Sequence, residues 1–216
     1  MNSSATFRAV KLSPWIPVGL MVAAMALIWW NSVGNPLIGG RHFEPAGQQF
    51  YLLSKIAGLT GIVLLAFQAL YAIWKPLLPD HLRISRVGHI YLGVLVVVTI
   101  LLHVTLFFVA AWIRQQHFPV ALLIPDFGHG FYKSGLSLGL IGLWGMLLVL
   151  YLGMALASRP GKQLKRLHTL AMLMMVPAFV HGAMIGTEAE HPVVQVFGLA
   201  FVLLCMLGAA NRVTHR

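Results

Sequence analysis

Apolar residues along this chain fall into six long blocks, 14–32, 51–74, 87–113, 134–157, 167–185 and 193–210, separated by short polar stretches. None has the strict alternation of a half-buried strand, and each is close to the roughly 20 residues a helix needs to cross a bilayer. The pattern predicts an all-α protein, an integral membrane six-helix bundle with short loops. The expected organisation is a cytoplasmic N-terminal tail (1–13), a six-helix transmembrane domain (14–210) and a cytoplasmic C-terminal tail (211–216). Arg8 and Lys11 precede the first block as they would precede a secretory signal. Its length, and the lack of a small-residue cleavage site, favour a retained helix.

Composition agrees with the pattern: 59% of the residues are hydrophobic and 9% are charged. The single Cys205 excludes an intramolecular disulfide or a cysteine-ligated zinc site. The net charge of +10 invites a nucleic-acid reading, but its distribution argues against one. Arg8, Lys11, Lys75, Arg83, Arg86, Arg159, Lys162, Lys165, Arg166, Arg212 and Arg216 all fall on one side of the expected membrane. Only Arg41, Lys55, Arg114 and Lys133 fall on the other, together with the acids Glu44, Asp126, Glu188 and Glu190. By the positive-inside rule both termini are cytoplasmic, and the basic excess also suits anionic membrane lipids.

Polar groups inside the apolar blocks carry the chemistry. His89 and His103 share the third block, His168 and His181 the fifth, fourteen and thirteen residues apart. At 1.5 Å per residue the separations are about 21 Å and about 20 Å, and both blocks start on the cytoplasmic side. His89 is therefore level with His168 near the inner face, and His103 with His181 nearer the outer face. An imidazole persists at such depth when it faces the bundle interior and has a partner. Azimuth agrees for the third helix, where the two rings lie about 40° apart, and poorly for the fifth, where they lie about 140° apart. Pro177 stands between the fifth-helix pair and permits a kink.

Zinc or non-haem iron needs three or four converging protein ligands, often with a carboxylate. Here each depth offers two imidazoles, and no acid lies mid-helix. A porphyrin supplies the other four nitrogens, so two axial histidines per iron suffice. The expected cofactors are two b haems between helices three and five, with His89 and His168 on the inner iron and His103 and His181 on the outer. Arg86 and Arg166, three and two residues before the inner ligands, are the candidate propionate contacts. Gly135, Gly139, Gly142 and Gly145 give the fourth helix a smooth face, first of all for helix packing. No residue is assigned a catalytic role.

The stretches RISRVGHIYLGVLVVVTILLH (83–103) and LKRLHTLAMLMMVPAFVHG (164–182) resemble the ferric reductase-like transmembrane domain. That superfamily includes ferric reductases and NADPH oxidases. The resemblance implies a six-helix core, two b haems held by the four histidines, and electron transport across the membrane. No Gly-rich nucleotide-binding turn follows a strand here, so FMN or FAD is expected from a partner or as a loosely held cofactor. The expected donor is a cytosolic flavoprotein reductase or reduced flavin; the expected acceptor is a periplasmic protein or a ferric chelate. The chain is also similar in size to the haem-binding membrane subunit of the bacterial periplasmic methionine sulfoxide reductase system, whose pattern has no counterpart of His89. That resemblance implies a role serving a periplasmic reductase. A third expectation is a transporter or scaffold without haem, its histidines pairing or relaying protons.

Overall fold

Glycine decides which helices touch. The computed structural model describes residues 15–33, 45–155 and 162–214, with side chains described throughout except at 81, 153, 162–169, 171, 172, 187 and 208–214. Helix α1 spans Trp15–Val33, α2 Gln48–Trp74, α3 Arg86–Gln115, α4 Phe131–Ala155, α5 Lys162–Ile185 and α6 Pro192–Thr214. The tightest neighbours are α2 with α3 and α4 with α5, two antiparallel hairpins. In the first, Gly58 lies against His103 and Gly61 against Thr99 and Ile100. In the second, Gly139 lies against His181, Gly142 against Ala178 and Gly145 against Met174. Missing Cβ atoms bring the paired backbones together, which is how membrane helices gain packing when lipid is as apolar as their side chains.

The two hairpins repeat one another. Ser54, Gly58 and Gly61 on α2 take the same spacing as Gly135, Gly139 and Gly142 on α4, and each set faces a histidine on the following helix. Both hairpins run in the same direction, as parallel internal repeats do in membrane proteins. Helices α1 and α6 lean on α2. A core of Val18, Leu64, Leu65, Leu92, Val96 and Met175 joins α1, α2, α3 and α5. Phe179 stacks on Phe201 at 4.8 Å to tie α6 to α5.

Helix ends follow local chemistry. Ser85 caps α3 by accepting the Gly88 N–H at 3.0 Å, and Gln116 closes it in the left-handed region at φ 57°. The α3–α4 loop is stapled by Asp126, which binds His129 Nδ1 at 2.7 Å and Lys133 at 3.3 Å. The His129 hydrogen bond is the main reason its carboxyl lies below the usual carboxylate range. Helix α5 continues through Pro177 without a break. Several helices outrun their apolar blocks: α5 begins at Lys162 and α6 ends at Thr214, inside the expected tail. Backbone hydrogen bonding continues into polar residues, whereas hydropathy marks only the part suited to lipid.

Segments Gln48–Leu77, Arg86–Gln115 and Phe131–Leu152 are long and apolar enough to cross a membrane. Along α3 the exposed residues Val87, Ile90, Tyr91, Val94, Val98 and Leu101 form one stripe at helical spacing. Its opposite face buries Gly88, Leu92, Val96 and Ala110. A helix apolar on both faces has hydrocarbon as its outer solvent. Among the described residues the protein is all-helical, with three helices long and apolar enough to cross a membrane.

Candidate functional site

Two of the four histidines in the apolar blocks come together. His103 on α3 and His181 on α5 both line a cavity of ≈ 570 Å³ between the helices, and their ring centroids lie 6.2 Å apart with planes inclined at 72°. A cavity of about 300–1,000 Å³ with mostly apolar walls and few polar groups is typical of a cofactor site.

Each imidazole is held in the same way. His103 Nδ1 donates to the Ser54 carbonyl at 2.7 Å, with Ser54 Oγ at 3.1 Å as a second acceptor. His181 Nδ1 donates to the Gly135 carbonyl at 2.9 Å. A carbonyl oxygen can only accept, so each Nδ1 carries the proton and each Nε2 keeps its lone pair. A carbonyl that already closes a helical turn has a second lone pair, and the imidazole uses it. The glycine four residues on gives the ring access. A Cβ on Gly58 would stand 2.8 Å from His103 Nδ1, and one on Gly139 would stand 2.5 Å from His181 Nδ1. Neither Nε2 makes a hydrogen bond among the described residues. A backbone acceptor fixing one ring nitrogen so that the other can bind metal is the usual second shell of a histidine ligand.

Ser54 is almost fully buried and its hydroxyl also donates to the His103 carbonyl at 3.0 Å. Ser54→Ala keeps the main-chain acceptor, so His103 stays in place while the hydroxyl bonds are lost. The expected cost is about 1 kcal/mol, seen as a small drop in thermal midpoint in detergent.

The donor set suits a porphyrin iron better than a bare ion. No three His, Cys, Asp or Glu side chains converge among the described residues. An iron bonded to one nitrogen of each ring at about 2 Å sets the two ring centroids about 6 Å apart. The observed spacing fits two axial imidazoles on one haem.

The inner pair is placed differently. His89 is half-buried on α3, its Nδ1 3.5 Å from Gln68 Nε2, and it does not line the cavity. The side chains of His168 and Arg166 lie outside the described residues. Arg86 is exposed at the first turn of α3. Gly182, beside His181, lines the cavity next to Ile62. Trp112 and Trp144 are exposed on the bundle surface.

Sequence reasoning found the outer histidines but missed what holds them. Ser54, Gly58 and the repeat they share with Gly135 and Gly139 went unnoticed, although the spacing is visible once the two helices are aligned. Lys55 and Glu188, which form a buried ion pair at 2.8 Å on the cavity wall, were read only as topology charges. Comparison with known families, with characterised proteins and with solved structures finds no match.

Proposed function

We propose that this chain is a transmembrane b-type cytochrome of the inner membrane that carries electrons from a cytosolic flavin or flavoprotein to a periplasmic acceptor. The observation that carries the reading is the pair His103 and His181, each with Nδ1 locked to a main-chain carbonyl and Nε2 available at the wall of one cavity. When bound, haem b supplies a one-electron carrier. The protein's own part is to hold two imidazoles rigidly, to keep water from the apolar walls and to set the depth of the site. With His103 and His181 both holding it, a haem would be suited to electron transfer rather than to binding oxygen at the metal. His89 and His168 are the proposed ligands of a second, inner haem, and Arg86 and Arg166 its propionate partners. Six spans with both termini cytoplasmic complete the proposal; the charge bias of the loops supports it.

The position of His89, facing Gln68 and away from the cavity, favours a second reading. In it the chain holds one haem at the outer site and serves a periplasmic reductase. A pyridine haemochrome assay on purified protein separates the two. Two haems per chain are expected from the four-histidine scheme, and one from the outer site alone. Protein without a Soret band that also fails to take up added haem would refute both.

A further inference from the structure

The outer end of the cavity contains charge that packing alone does not require. Lys55 Nζ lies 2.8 Å from Glu188 Oε1, with side-chain exposures of only 13% and 3%. Removing two ions from water costs several kcal/mol each, and an apolar pair of similar size often serves stability as well or better. Glu188 Oε1 has the Lys55 ammonium as its close partner.

Its placement is specific. Lys55 follows Ser54, whose carbonyl holds His103; Glu188 lies seven residues after His181, on the short turn Thr187–Glu190. Each ion is therefore tethered to one of the two histidine-bearing hairpins. Both line the cavity, and Lys55 is the basic residue that does so among the described residues. Two other cations expected on this side, both among the described residues, have different partners. Arg114 binds the Ala46 carbonyl and Gln48, and Lys133 binds Asp126. The opposite end of the cavity is closed by Leu65, Ile100 and Met146, where a carboxylate would find no partner.

Building on the haem reading, we propose that Lys55 is the anchor for the carboxylates of the cavity's occupant, and that Glu188 is the counter-ion with which those carboxylates share it. Haem b inserted between His103 and His181 then has one favourable orientation, propionates outward. Lys55 bridges two kinds of carboxylate, one from the ligand and one from Glu188. Removing Glu188's charge frees the ammonium for the ligand; removing Lys55 leaves two carboxylates facing each other.

The test is a Soret titration of full-length, haem-depleted protein in detergent with hemin and, separately, with hemin dimethyl ester. Lys55→Met/Glu188→Gln removes both charges together, so no buried ion is left unpaired and the fold is preserved. It is expected to bind hemin about 10- to 100-fold more weakly than the native chain and to bind the ester equally well. Glu188→Gln alone is expected to bind hemin at least as tightly as the native chain. Unchanged hemin affinity in the double variant, or an equal loss for hemin and ester, would overturn the role of Lys55. Failure of the native chain to bind either porphyrin would overturn the haem reading itself, and with it this proposal.

Discussion

His103→Ala and His181→Ala are each expected to abolish six-coordinate haem at the outer site while leaving the helices intact. On the haem reading each ring is the one imidazole that its hairpin brings to the cavity, and no third histidine lines it among the described residues. The replaced side chain opens space next to Gly58 or Gly139, positions already without a Cβ, so neighbouring helices need not move. If an inner haem is bound at His89 and His168, its absorbance should survive in both variants, and the haem-to-protein ratio should fall by one. Retention of the full Soret amplitude and of every reduction potential in both variants would contradict the assignment. Circular dichroism of the purified variants checks that the helices persist.

Gly139→Ala is expected to give the next largest effect, although Gly139 is not itself a proposed ligand. The new Cβ would stand 2.5 Å from His181 Nδ1 and 2.7 Å from Cε1, well inside contact distance. The ring must shift and lose the Gly135 carbonyl, because helix packing at Gly142 and Ala178 keeps α4 from withdrawing. Overpacking of this kind costs about 1–3 kcal/mol, and losing the partner of a metal-binding histidine weakens metal affinity about 10- to 100-fold. Gly58→Ala should act in the same direction on His103, less severely, since its Cβ would lie 2.8 Å from the ring. The readout is haem affinity together with the low-spin to high-spin shift of the ferric spectrum. Gly198→Ala, where nothing lies within 4 Å of the added atom, serves as the control. Equal behaviour of Gly139→Ala and Gly198→Ala would remove the glycine from any role in positioning the ring.

The helices were legible because lipid imposes a crude rule: about 20 apolar residues in a row have few other uses. The outer histidines were legible for a related reason, since an imidazole in such a block is costly and therefore informative. The device that orients them was not. Ser54 and Gly135 act through their carbonyls, which every residue possesses, and Gly58 and Gly139 act through an atom they lack. Side-chain chemistry cannot signal either. Lys55 and Glu188 were hidden in another way, because they lie 133 positions apart and only the packing of η-turn against helix brings them together. Pro177 invited the expectation of a kink on α5, but the helix runs on through it. A proline removes one hydrogen bond, and neighbouring helices can supply what keeps the rod in line.

The repeated hairpin has a consequence for how the molecule comes together. Within each hairpin the glycine seam closes backbone on backbone, so α2–α3 and α4–α5 can each insert and mate as separate units. Between the two lies the cavity, with the Lys55–Glu188 pair on its wall and the core of Leu64, Leu65, Leu92, Val96 and Met175 beside it. Whatever fills the space is thus also the mortar of the bundle, and assembly of the two halves becomes a step that the occupant itself can drive.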